Sequence, residues 1–109
     1  MAPLQDRGIN GWMRKFLKVL KQEYAPSKVI LFGSRARGDN LHESDVDLII
    51  VSKKFAKISW PRRIGNVAAL WEGLVDIEPL CYTPKEFDSK VKEHGIVRQA
   101  IKEGIALEV

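Results

Sequence analysis

The sequence predicts an α/β (α+β) fold, a small mixed β-sheet with helices packed over it, and three observations carry that expectation. Two short β-branched apolar runs, KVILF at 28–32 and VDLIIV at 46–51, lie close together in the chain. Helical periodicities flank them on both sides. The consecutive apolar residues of VDLIIV imply burial on both faces, as at the centre of a sheet covered by helices.

Each element has its own signal. Ile9, Trp12, Met13, Phe16, Leu17 and Leu20 recur at spacings of three and four with Arg14, Lys15, Lys18 and Lys21 between them, which predicts an amphipathic helix from Asn10 to Tyr24 closed by Pro26. A buried strand follows at Lys28–Phe32, then a polar, turn-forming stretch from Gly33 to Ser44, then the strand Val46–Val51. Pro61 to Glu72 reads as a second helix with proline in its first turn, ended by Gly73. Leu74 to Tyr82 reads as a third strand, and Pro79, which lacks a backbone donor, places it at an edge or a bulge. Thr83, Pro84 and Glu86 form a capping box that starts a short helix to about Lys92. Ile96–Glu103 gives a last helix ended by Gly104, and Ile105–Val109 adds a short strand or packs as a tail.

With 109 residues, 45% hydrophobic and 29% charged, the chain has the size of one domain spanning 1–109. The net charge of +4 arises in the residues up to and including Lys54, where ten basic residues face six acidic ones. That excess suits an anionic ligand such as a nucleotide but is weak support for a nucleic-acid partner. Cys81 stands alone, so neither an intrachain disulfide nor a structural zinc site can form, and a reducing, cytoplasmic setting fits. The longest apolar stretch, Leu48–Val51, is too short to cross a bilayer, and the first fifteen residues lack the apolar core of a leader. No membrane association or export is expected.

Chemistry concentrates between 33 and 47. Gly33-Ser34 leaves a buried strand, and a glycine-serine turn offers backbone amides and a hydroxyl to phosphate oxygens. Ten residues later, Asp45 and Asp47 point to one face of the next strand because side chains alternate along it. Two ionised carboxylates that close repel, and a hard divalent cation, Mg²⁺ or Mn²⁺, relieves the repulsion. A phosphate cradle and a carboxylate pair on adjacent strands together describe a site for a metal-bound nucleoside triphosphate. Arg35 and Arg37 add positive charge; residues two apart at a helix start diverge by roughly 200°, so either one could face the phosphates.

Gly33-Ser34, Arg35 to Ser44 and Asp45-Val46-Asp47 match the signature of the minimal nucleotidyltransferases of the DNA polymerase beta superfamily, and VILFGSRARGDNLHESDVDLIIV is similar to that family's most characteristic stretch. The resemblance implies a nucleotidyltransferase fold and a third metal-binding carboxylate on the strand after the second helix. Asp76 occupies the matching place, and Glu78, two residues on and facing the same side, stays open as a third or additional ligand. On this reading Asp45, Asp47 and Asp76 are catalytic, two Mg²⁺ ions sit on these acids with or without Glu78, and Gly33, Ser34, Arg35 and Arg37 bind the triphosphate of ATP or another NTP. An acceptor hydroxyl attacks the α-phosphorus and pyrophosphate leaves.

So short a chain leaves little beyond the catalytic half, so a second chain is expected to supply acceptor recognition. In this the sequence resembles the antitoxin members of gene pairs in which a minimal nucleotidyltransferase accompanies a HEPN-domain ribonuclease toxin and transfers AMP to a tyrosine of it. A transferase acting on RNA or a small molecule, and a non-catalytic binder of a HEPN protein, stay open as alternatives; a homo-oligomer is compatible with the size. Lys53, Lys54 and Lys57 are weighed as a border of the acceptor entrance or a solvated stretch. His42, His94 and Cys81 are expected to carry no chemistry, and Trp60 and Trp71 to pack or to form part of a partner surface.

Overall fold

The structure is a computed structural model that describes residues 9–109; the reading of the N-terminus as free of a leader falls partly outside that range. Helix α1 (Asn10–Tyr24) buries Met13, Phe16 and Leu20 on one stripe, and Ala25 ends it in the left-handed region at φ 42°, its N–H donating to Lys21 C=O at 3.1 Å. Strand β1 (Lys28–Phe32) follows, then a single helical turn, α2 (Ser34–Arg37), inside the stretch expected to be loop. After β2 (Val46–Val51) comes a 3₁₀ turn at Lys53–Phe55, helix α3 (Trp60–Ala68) and strand β3 (Ile77–Tyr82). Helices α4 (Pro84–Val91) and α5 (Ile96–Glu103) and strand β4 (Ile105–Leu107) complete the chain. The capping box is present as expected, with both Thr83–Glu86 hydrogen bonds made.

The sheet is mixed, in the order β3-β2-β1-β4, with β1 antiparallel to both β2 and β4 and β2 parallel to β3. One face carries Val29, Leu31, Leu48, Ile50 and Cys81 and is covered by Met13, Phe16 and Leu20 of α1 and Val67 of α3. The other carries Ile30, Ile49, Val51 and Tyr82 under Phe87 of α4 and Val97 and Ala100 of α5. Burial on both faces is why Leu48–Val51 is continuously apolar; each fully buried Leu or Ile contributes roughly 1.5–3 kcal/mol. Because side chains alternate, Asp47 shares the α4–α5 face with Ile49 and Val51.

Two boundaries differ from expectation. The third strand begins at Ile77, not Leu74, because β2 offers its first partner only at Val46, opposite Ile77; Leu74 stands 91% exposed in the loop before it. The second helix stops at Ala68, and the chain turns so that Trp71 packs edge-on against Trp12 and Phe16 and its indole N–H donates to Val75 C=O at 2.7 Å. Of the edge or bulge expected from Pro79, the structure shows the edge. Val46 N–H donates to Asp76 C=O and Ser52 N–H to Tyr82 C=O, so even-numbered residues of β3 face β2 and the proline nitrogen points to the open edge. No described helix is long and apolar enough to cross a membrane.

Candidate active site

The site gathers at one end of the sheet, where β1 runs out and β2 and β3 begin. Phe32 is paired with Asp47 across the antiparallel ladder, so the next residue, Gly33, lies against the aspartate. Gly33 adopts φ 76°, ψ −158°, a region open in practice only to glycine. A Cβ there would run into the Asp47 carboxylate, with its Cγ at 3.2 Å. Glycine is needed twice over: for its backbone angle and for the room it leaves the acid.

Beyond Gly33 the chain makes its single turn of α2, the Gly33 carbonyl accepting from Ala36 N–H at 3.1 Å and Arg37 N–H at 3.2 Å. Ser34, at the start of that turn, has no acceptor for its N–H within its own helix. The two arginines part company. Arg35 is only 5% exposed, its Nε donating to Ser44 C=O at 2.9 Å and its Nη2 to His42 C=O at 3.0 Å; it braces the loop that leads into the aspartates. Arg37 is exposed, pairs with Asp39 at 3.2 Å and with Glu103 at the end of α5 at 3.6 Å, and its charge favours the ionised form of Asp47.

The acids act on one another. Burial, then the charge of Asp45, raises the Asp47 carboxyl above the ordinary aspartate range, opposed by a hydrogen bond from Glu78. Glu78 sits opposite Asp47 in the parallel register, and its carboxyl is raised first by that hydrogen bond, then by burial and by the charges of Asp47 and Asp45. That contact lowers the Asp47 carboxyl and raises that of Glu78, so within the pair it favours Glu78 as the protonated partner. Glu78 also hydrogen-bonds Asp45. Among the described residues no three such side chains already stand as a ready coordination group; these acids are joined pairwise by hydrogen bonds, and their hard oxygens are the donors a divalent cation takes.

Thus Asp45, Asp47 and Glu78 come together beside Gly33 and Arg37. Asp76 contributes its carbonyl to the β2 ladder, while its exposed side chain takes no part in the hydrogen bonds among the other three acids. Glu103 was not singled out by sequence, because nothing in its local pattern tells that α5 ends beside Arg37. Lys53 and Lys54 follow the far end of β2, about 20 Å from Asp47 at the rise of an extended chain, so they do not border this site. Burial pushes the Cys81 thiol up to about 12, leaving it protonated and inert at neutral pH.

Comparison with known proteins identifies the family. The nucleotidyltransferase domain family matches residues 13–107. The chain belongs to that family. This nucleotidyltransferase domain is 29% identical over 97 residues to a Methanocaldococcus jannaschii protein named "putative protein adenylyltransferase", the match covering 80% of this chain and 63% of that protein. The chain thus spans just under two thirds of that relative's length. A second protein of the same organism, with the same description, is 35% identical over 74 residues, 63% of this chain and 75% of the relative. Among solved structures, a "putative nucleotidyltransferase" from Sulfolobus solfataricus aligns over 93% of this chain and 86% of its own with a TM-score of 0.58 at 21% identity, a likeness of fold. The BolA domain of SufE1 from Arabidopsis thaliana aligns over 71% of this chain and 95% of its own, with a TM-score of 0.53 at 24% identity. Sheet and helices alone therefore specify no chemistry, and the nucleotidyltransferase assignment rests on the sequence match.

Proposed function

We propose that this nucleotidyltransferase domain transfers AMP from ATP to a hydroxyl group of a protein and releases pyrophosphate. The observation that carries the reading is the joined Asp45–Asp47–Glu78 cluster pressed against the Gly33-Ser34 turn. It supports Glu78 over Asp76 as the third carboxylate, since Glu78 alone of the two is hydrogen-bonded to the aspartate pair. Asp45, Asp47 and Glu78 would hold Mg²⁺ through their ionised carboxylates. When bound, such ions stabilise charge on the attacking and leaving oxygens.

The remaining roles follow from position. The oxygen of the acceptor hydroxyl bonds to the α-phosphorus as the bond from that phosphorus to the pyrophosphate oxygen breaks, and the hydroxyl proton passes to a carboxylate of the cluster. The Ser34 hydroxyl and the amides of Gly33 and Ser34 take phosphate oxygens at the turn. Arg37, the guanidinium whose charge reaches Asp47, offsets charge growing on the leaving pyrophosphate. Arg35 positions the aspartate loop through the carbonyls it already binds. The description shared by the archaeal relatives supports a protein acceptor; a tyrosine of a HEPN-domain partner, in the cytoplasm, is the acceptor implied by the resemblance to antitoxin nucleotidyltransferases.

The test is incubation with ATP labelled on its α-phosphate and Mg²⁺, with a HEPN protein encoded beside this gene or with RNA. Label on the protein that disappears in Asp47→Ala is the expected result. Label on RNA alone, or tight protein binding without label, overturns it.

A further inference from the structure

The end of the sheet that carries the acids has a rim of unusual composition. Residues 38–47 and 72–78, the two segments leading into β2 and β3, contain seven acidic residues and no lysine or arginine. They also hold the two most exposed large apolar side chains of the described residues, Leu41 at 77% and Leu74 at 91%. Leu41 belongs to a closed turn, its N–H donating to Ser44 Oγ at 2.9 Å and its C=O accepting from Ser44 N–H at 3.1 Å. Leu74 follows Gly73, whose Cα leaves no room for a Cβ against Trp71 and Trp12. Both leucines are therefore presented by loops fixed at their bases.

We propose that Leu41 and Leu74 are the docking contacts for the acceptor, and that the acceptor is a protein surface bearing apolar side chains among lysines or arginines. The inference rests on the transferase reading above and adds to it the face and the chemistry of the partner. Whatever is modified must reach the Asp45–Asp47–Glu78 cluster, and these loops run directly into the strands that carry it, Leu41 four residues before Asp45 and Leu74 four before Glu78. Cations held by the three site acids leave Glu43, Glu72 and Asp76 uncompensated, while Asp39 is paired with Arg37. A nucleic acid, with a negative charge on every phosphate, is repelled by such a rim and gains nothing from exposed leucines. A basic, apolar protein surface is attracted by the charge and buries both leucines, depleted though leucine is among binding hot spots. The chain's excess of positive charge lies elsewhere and does not offset this: residues 25–28 and 52–59, at the other end of the sheet, contain four lysines and no acid.

The experiment uses a short fluorescent amphipathic peptide of leucine and lysine, its counterpart with glutamate for lysine, and a single-stranded RNA of similar length, each titrated with the full chain at low salt. The lysine peptide is expected to bind, and the Leu41→Ser/Leu74→Ser variant to weaken it about tenfold or more, the loss that follows removal of anchoring side chains. Ile96→Ser/Ile101→Ser, at exposed apolar positions on α5, is expected to change nothing. Equal binding by wild type and the leucine variant, or RNA competing for the same surface, overturns the proposal, as does self-association of the wild type lost in the leucine variant, which assigns the rim to a second copy. Calorimetry of ATP with Mg²⁺ on the same samples keeps the two readings apart. Uptake unchanged in the leucine variant while peptide binding is also unchanged fails the docking proposal alone; no uptake by wild type fails the transferase reading.

Discussion

The two ends of strand β2 are built on opposite principles. At its start, Asp47 and Glu78 are carboxyls held above their ordinary range, an acidic rim is left exposed, and Gly33 takes a conformation other residues avoid. At its end, polar groups are closed off. The Ser52 hydroxyl donates to Tyr24 C=O at 2.5 Å and accepts from Lys54 N–H at 3.1 Å. Arg63, 6% exposed, donates to Ile58 C=O at 2.7 Å, to Cys81 C=O on the outer edge of β3 at 3.2 Å, and to Glu86 at 2.6 Å. Among the described residues no buried side-chain nitrogen or oxygen lacks a partner. One end stores electrostatic cost where a polyphosphate and cations would relieve it; the other supplies the stability that makes the cost tolerable.

The largest test of that contrast is Asp47→Asn. It is expected to lower kcat/KM by roughly 10³-fold, the several kcal/mol that metal-held charge contributes to a transition state, and yet to raise the thermal midpoint in chelator because the repulsion is gone. A midpoint that falls would mean Asp47 is a structural group and the ends are not opposed. Arg63→Ala is the mirror image. It strips three acceptors of their donor and is expected to cost about 2–3 kcal/mol in urea unfolding, less than a fully buried pair because Glu86 is half exposed. ATP and Mg²⁺ uptake by the folded fraction should not change.

How much of this was legible in the sequence differs between the same two ends. The Gly-Ser and Asp-x-Asp pair could be read directly, because turn chemistry and strand alternation are local rules. The preference for Glu78 over Asp76 proposed above could not, since both share a face and only the register with β2 sets Glu78 beside Asp47. Arg35 and Arg37 were likewise separable only once the loop over Ser44 had folded. The Arg63–Glu86–Cys81 node left no local signal, because its members meet through the packing of α3 and α4 against an edge strand. What the lysines at 53, 54 and 57 lacked was direction: a strand's length sets them at the end away from the acids.

Gly33→Ala gives a smaller effect that sharpens the link between backbone and acid. Its φ and ψ lie in a region whose occupation by another residue costs of order 1–3 kcal/mol, and the added methyl must also displace the Asp47 carboxylate. Both stability and activity should fall, with activity falling further, because a shifted Asp47 disturbs the cluster even in molecules that remain folded. Equal loss of the two would reduce the glycine to a backbone requirement.

The smallest effect, and the one that reads both ends in a single curve, is the pH dependence of stability in metal-free buffer. Glu86 is held below the ordinary glutamate value of 4.5, first by its hydrogen bond from Arg63 and also by the Thr83 N–H. Between the folded and unfolded values the unfolded chain binds more protons, so stability rises with pH there and is lost as pH falls through the folded value. Asp47 and Glu78 have the opposite sign. Their folded values are raised, the native state binds more protons, and stability falls as pH climbs from the ordinary carboxylate range through the raised values. Glu86→Gln should flatten the acid limb of the curve and leave the descent above it, whereas Asp47→Asn should flatten the descent and leave the acid limb. Saturating Mg²⁺ should abolish the descent in wild type and in Glu86→Gln alike. Thermal unfolding followed by circular dichroism across that range resolves both limbs, and a single substitution that flattened both would show that the two ends of the strand titrate as one unit.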